Sequence, residues 1–183
     1  MRIIGGAFKS RIFRPGKNFK ARPTTDFARE NLFNILDNRY NFDDKKILDL
    51  FSGTGSISFE FVSRGCPNIT CVELDRFHYN FICSVIEKLD VKSSLRAINA
   101  DVFKFIGRST EQYNIIFADP PYELKRLAEI PDLILNGNLL LNDGLLILEH
   151  GKTNDFSLHP LFTELRTYGS VHFSFFTQKV NIS

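Results

Sequence analysis

From Lys46 onward, short apolar runs alternate with stretches of helical periodicity, and few folds accommodate that order. Ile47-Leu48-Asp49-Leu50-Phe51, Ile69-Thr70-Cys71-Val72-Glu73, Leu95-Arg96-Ala97-Ile98-Asn99 and Tyr113-Asn114-Ile115-Ile116-Phe117-Ala118 read as buried strands. Between them, Ile57 to Arg64, Phe77 to Leu89 and Val102 to Ile106 read as helices. Parallel strands cannot be joined by a tight turn, so this alternation predicts a parallel sheet with helical crossovers. A helix over about Leu124 to Leu135, with Pro131 near a break, leads to a strand at Gly144 to Glu149. Glu164 to Tyr168 and Val171 to Thr177 predict a hairpin on the sheet edge, turning at Gly169-Ser170. The expected fold class is α/β, with a mostly parallel seven-stranded sheet flanked by helices.

The segment before this core has a different character. Arg2-Ile3-Ile4-Gly5-Gly6 and Ala7-Phe8-Lys9-Ser10-Arg11-Ile12-Phe13 read as two short strands around a Gly-Gly turn. Gly16 to Ala21 reads as a basic loop. Arg22-Pro23-Thr24-Thr25-Asp26 has helix-entry chemistry: a restraining proline, hydroxyl caps and an acidic first turn. Phe27, Leu32, Phe33, Ile35 and Leu36 then form the apolar stripe of a helix from Asp26 to about Asn38. Residues 1–39 carry a net charge of +6 and the remainder −4. A basic arm on a mildly acidic body suits a phosphate-rich partner, and a solvated terminal segment would show the same charges. A single domain over 1–183 is expected, with 1–40 as a basic extension and 41–183 as the core.

No apolar run nears the ~20 residues that span a bilayer. Met1-Arg2-Ile3-Ile4-Gly5-Gly6 lacks the apolar core of a signal peptide. Cys66, Cys71 and Cys83 are odd in number and show no C-x-x-C spacing, so reduced thiols are expected rather than disulfides or a zinc site. These features predict a cytoplasmic protein with no metal and no membrane partner.

The chemistry gathers at the predicted strand ends. Tyr113 to Ala118 runs into Asp119-Pro120-Pro121-Tyr122. Neither proline has an N–H for a ladder, so the strand stops and presents a carboxylate, a stiff turn and an aromatic ring. Ligands bind at that end of open α/β sheets. Asp49-Leu50-Phe51-Ser52-Gly53-Thr54-Gly55 joins the first strand to its helix, and its glycines allow close approach of a ligand. Ser58 stands where a dinucleotide fingerprint wants a third glycine, and Asp49 would repel a pyrophosphate. A carboxylate there suits an ammonium-bearing ligand; S-adenosylmethionine carries an ammonium and a sulfonium, and no phosphate. Glu73 ends the second strand eighteen residues after Gly55, where an acid commonly accepts from ribose hydroxyls. Asp75 follows it, and Asp101 closes the third strand where it could accept from an adenine amine. Any one of these acids is more often a helix cap. Asp49, Glu73, Asp101 and Asp119 in series point to an S-adenosylmethionine cleft.

Asp49 to Gly55, Glu73, Asp101 and Asp119-Pro120-Pro121-Tyr122 resemble the motifs of class I methyltransferases that modify exocyclic amino groups, which implies a Rossmann-like fold. More narrowly, Arg2-Ile3-Ile4-Gly5-Gly6, Arg22-Pro23-Thr24-Thr25-Asp26 and Arg29-Glu30-Asn31-Leu32-Phe33-Asn34 resemble the bacterial RsmD family of 16S ribosomal RNA guanine-N2 methyltransferases. The resemblance covers most of the chain. It implies S-adenosylmethionine held by Asp49, Phe51, Gly53, Gly55, Glu73, Asp75, Asp101 and Val102. It implies Asp119, Pro120 and Tyr122 as catalytic residues. Arg2, Arg11, Arg22, Thr24, Thr25 and Arg29 would meet the RNA of the small ribosomal subunit or its precursor. Phe27 departs from the pattern, which expects a basic residue after Thr-Thr-Asp.

The lone pair of a guanine N2 is delocalised into the ring and is a poor nucleophile. The Asp119 carboxylate and the Pro120 carbonyl would hold both N–H groups, while Tyr122 stacks on the base. The same four residues serve adenine N6 or cytosine N4, so a DNA amino-methyltransferase is the alternative. Against it, no separate target-recognition domain is evident. A protein glutamine methyltransferase would usually present Asn in place of Asp119. A non-catalytic RNA-binding assembly factor has the complete cofactor loop and Asp119-Pro120-Pro121-Tyr122 against it.

Overall fold

β1 (Lys46–Leu50) lies inside the sheet, because its side chains are apolar towards both faces and need cover on each. The computed structural model describes residues 1–16 and 25–177. β2 (Asn68–Glu73) and β3 (Leu95–Asn99) extend the sheet from one side of β1, and β4 (Tyr113–Ala118) and β5 (Leu140–His150) from the other, all parallel. β6 (Phe162–Tyr168) and β7 (Val171–Thr177) form the expected hairpin, with β7 antiparallel against β5, so the strand order is β3-β2-β1-β4-β5-β7-β6. The order reverses between β1 and β4, and a crevice opens beyond the C-terminal ends of strands at such a switch point.

Strand side chains alternate between two cores. Ile47, Ile115, Phe117, Leu145 and Ile147 join Phe173 and Phe175 on one face. That face is covered by α1 (Asp26–Arg39), α2 (Ser56–Ser63) and α3 (Arg76–Leu89). Leu48, Leu50, Ile116, Ala118, Leu146 and Leu148 point to the other, under α4 (Val102–Ile106) and α5 (Ile130–Leu135). α1 begins as its sequence predicts: Thr25 Oγ1 accepts from the Ala28 N–H at 3.2 Å.

The N-terminal arm departs from the expected hairpin. Arg2 and Ile12 form one isolated antiparallel bridge, and the chain turns over residues 7–10 rather than at Gly5-Gly6. α2 is the cause. Glu60 accepts from the Ile4 and Gly5 N–H groups at 2.6 and 3.3 Å. Ser63 accepts from Phe8 N–H through Oγ at 2.9 Å and from Ala7 N–H through its carbonyl at 2.6 Å. Backbone groups that a strand pair would have used are bound to a helix instead. Gly6, at φ +71°, passes so close that a Cβ would fall 1.8 Å from the Ser63 carbonyl oxygen.

Two boundaries also differ from expectation. β5 begins at Leu140, ahead of Gly144, because the register with β4 jumps from Tyr113↔Leu140 to Ile115↔Leu145. Asn142-Asp143-Gly144 form an irregularity inside the strand, with Asp143 at φ +61°. The helix expected from Leu124 is α5 alone, preceded by a 3-10 turn at Leu127–Glu129. Pro131 lacks an N–H and fits only in a first turn.

Candidate active site

The C-terminal ends of the five parallel strands border one cavity of about 1050 Å³, at the upper end of the usual size for ligand sites. Gly53 and Gly55, at φ +53° and +71°, carry the chain round the end of β1. Glu73 is pinned across this turn: it accepts from Gly53 N–H at 2.8 Å and from Asp75 N–H at 2.7 Å. Each carboxylate oxygen has a second lone pair for a ligand donor.

Asp49 is buried beneath the turn, and its Oδ2 accepts from the Ser58 N–H at 3.2 Å and hydroxyl at 2.5 Å. The residue that replaces the third glycine of a dinucleotide loop is therefore the partner of this carboxyl. Burial pushes the Asp49 pKa up to about 7, against the pull of the Ser58 hydrogen bonds. Asp75 caps α3 by accepting from Phe77 and His78 N–H groups at 2.8 and 3.0 Å. Asp101 caps α4 by accepting from Lys104 N–H at 2.9 Å. Both caps also form cavity wall, so the two readings of these acids coexist. Of the eight residues expected at the cofactor, Asp49, Phe51, Gly53, Glu73, Asp75, Asp101 and Val102 line the cavity. Gly55 does not; it starts α2, and a Cβ there would stand 3.0 Å from the Phe59 ring.

Asp119, Pro120 and Tyr122 line the same cavity. Asp119 N–H donates to Leu50 O at 3.2 Å, so the backbone stays in the ladder for one residue past β4. Tyr122 Oη donates to Glu149 Oε1 at 3.1 Å, and its ring lies against Gly151, where a Cβ would come within 3.1 Å. Glu149 was not among the expected site residues, although its signal was present. It closes the apolar run Leu145-Leu146-Ile147-Leu148 as Glu73 closes its own. Ser170 and Val171, at the β6–β7 turn, complete the wall with Thr25; only the tertiary fold brings those three together.

The expected RNA contacts divide. Arg22 and Thr24 lie outside the described residues. Arg2 and Arg11 are exposed on the N-terminal arm, Arg2 paired with Asp26 at 2.9 Å and Arg11 stacked 5.0 Å from the Phe8 ring centre. Arg29 is buried, bonded to Asp26 Oδ1 at 2.6 Å and to Arg2 O at 2.8 Å, which removes it from any RNA-facing surface. Phe27, the departure from the family pattern, is exposed and meets Tyr168 edge-on at 6.0 Å.

Seven carboxylates (Asp49, Glu73, Asp75, Asp101, Asp119, Glu123 and Glu149) line the cavity against Arg76 and His78. Such a field repels phosphates and attracts cations. Phe51, Leu74, Val102, Phe103 and Phe117 add apolar wall for an aromatic ring. This set fits a cationic nucleoside such as S-adenosylmethionine. Among the described residues, no group of His, Cys, Asp and Glu is arranged to hold a metal ion, and no helix is long and apolar enough to cross a membrane.

The family described as Conserved hypothetical protein 95 matches residues 1–177. Ribosomal RNA small subunit methyltransferase D of Buchnera aphidicola subsp. Baizongia pistaciae is 34% identical over 155 residues, covering 84% of this chain and 77% of that one. A hypothetical protein of Thermus thermophilus superposes with a TM-score of 0.83 at 26% identity, covering 98% of this chain and 99% of that one. An RNA methyltransferase from Salinibacter ruber, solved in complex with S-adenosyl-L-homocysteine, shares the fold at 12% identity with a TM-score of 0.69, over 88% and 97% of the two chains.

Proposed function

The chain belongs to the Conserved hypothetical protein 95 family, that of RsmD, and from that premise we propose that it methylates the exocyclic N2 of a guanine in 16S ribosomal RNA. S-adenosylmethionine is the methyl donor, and the small ribosomal subunit or its precursor, in the cytoplasm, is the partner. One observation carries the reading: Asp119, Pro120 and Tyr122 share a single cavity with Gly53, Glu73 and Asp101. A base turned out of its stack and a nucleoside cofactor can meet there.

Bound S-adenosylmethionine supplies an electrophilic methyl group on a sulfonium. The protein's part is positioning. The Asp119 carboxylate and the Pro120 carbonyl accept the two N–H groups of the base amine, turning its lone pair out of conjugation. The Tyr122 ring stacks on the base, its plane held by Glu149 and Gly151. Asp119 need not be a strong base, because the amine becomes acidic once methylated and its proton leaves late. The basic arm, with Arg2 and Arg11 at its surface, meets RNA phosphates.

The deciding experiment offers labelled cofactor to naked 16S RNA, small-subunit particles, duplex DNA and protein. Label in the RNA, mapped to guanine N2 by mass spectrometry, is expected. Label in DNA alone overturns the assignment.

A further inference from the structure

We propose that Glu149 selects guanine by accepting a hydrogen bond from N1–H of the target base. This rests on the guanine reading above and adds the residue that enforces it. Ala118 pairs with Leu148 across the parallel β4–β5 ladder. Asp119 and Glu149 therefore leave neighbouring strands at one level and towards one face, on strands about 4.8 Å apart. Glu149 is 3% exposed and lines the cavity beside Asp119. The pair so placed matches a ligand edge that carries two adjacent donors.

Guanine is that ligand. Its N1–H stands next to the N2 amine, so its edge offers donors to both carboxylates. Adenine and cytosine carry a lone pair on the ring nitrogen beside the amine. Asp119 can hold the amine of all three bases; Glu149 accepts only from guanine and repels the ring nitrogens of the others. A buried polar group left facing a lone pair costs more than the lost bond, which makes such selection strong.

The test uses small-subunit particles rebuilt with guanine or 2-aminopurine at the methylated position. 2-Aminopurine keeps the reacting amine and lacks N1–H. The wild-type protein is expected to prefer guanine by roughly 100-fold in kcat/KM. Glu149→Ala should slow both substrates, since Tyr122 loses its acceptor, but guanine at least about tenfold more than 2-aminopurine, so the preference narrows. Glu149→Gln keeps the side-chain volume and can turn an amide N–H to the bare N1, so it should narrow the preference as well. Tyr122→Phe, which removes the hydroxyl and keeps Glu149, should slow both substrates and preserve their ratio. Equal losses on both substrates in the Glu149 variants, or a ratio lost equally in Tyr122→Phe, would overturn the proposal. Failure of the guanine reading looks different: the wild-type protein then transfers no methyl to the guanine-containing particles.

Discussion

Arg29 Nε and Glu60 Oε1 stand 3.5 Å apart beneath the N-terminal arm, and both side chains are 1% exposed. Arg64 also pairs with Glu60, and Glu60 in turn holds the Ile4 and Gly5 N–H groups. The pair is the point at which arm, α1 and α2 are locked together. Burial lowers the Arg29 pKa, opposed by Glu60 and Asp26. Removing Arg29 takes one cation from the buried Glu60, which keeps Arg64 and the two backbone donors.

Arg29→Ala should therefore cost about 1–3 kcal/mol of stability, measured by urea unfolding. Any loss of RNA binding in this variant should follow the loss of folded protein. A folded Arg29→Ala protein with a flattened salt dependence would return Arg29 to the RNA surface.

The exposed arginines behave differently. Neutralising Arg2 or Arg11 should leave the melting temperature nearly unchanged, because exposed ion pairs contribute little. Each should reduce the slope of log K against log salt for RNA binding by about 1. A slope equal to the wild type would make these residues ordinary surface charge.

Asp49 sets a pH dependence. Its pKa is 3.8 in the free side chain and about 7 when folded, so the folded state holds its proton across that window. The stabilising contribution is complete below the lower value and is lost as pH rises through the upper one. Wild-type stability should fall between pH 5 and pH 8 by more than that of Asp49→Asn. Cofactor binding should run the opposite way, tightening as the carboxyl ionises beside a cation, with proton release visible by calorimetry in buffers of different ionisation heat. An identical pH profile in Asp49→Asn would exclude the assignment.

Asp119→Ala should lower kcat at least about 100-fold, because the base amine loses its acceptor where positioning supplies most of the rate. S-adenosylhomocysteine affinity should stay within about threefold, since other residues hold the cofactor end. Comparable loss of both would assign Asp119 to cofactor binding.

Much of the fold and of this candidate site is legible in the sequence. The alternation after Lys46 determined the strands, and the acids closing their apolar runs marked which ends mattered. Both are short-range signals: an apolar run, a glycine turn and a proline pair constrain their own backbone directly. Ser58 and Asp49 sit nine residues apart and could be paired by reading one turn and one helix.

Tertiary structure decided what depends on register and on which surface another element covers. Arg29 looks like an arm cation in sequence, and is a core residue because Glu60, thirty-one positions later, arrives beneath it. Gly5-Gly6 looks like a hairpin turn, and instead marks where the arm lies flat on α2. Glu149 becomes Asp119's neighbour only because β4 and β5 pair with Ala118 beside Leu148. A local pattern tells which face a side chain takes; the ladder between strands tells whom it meets there.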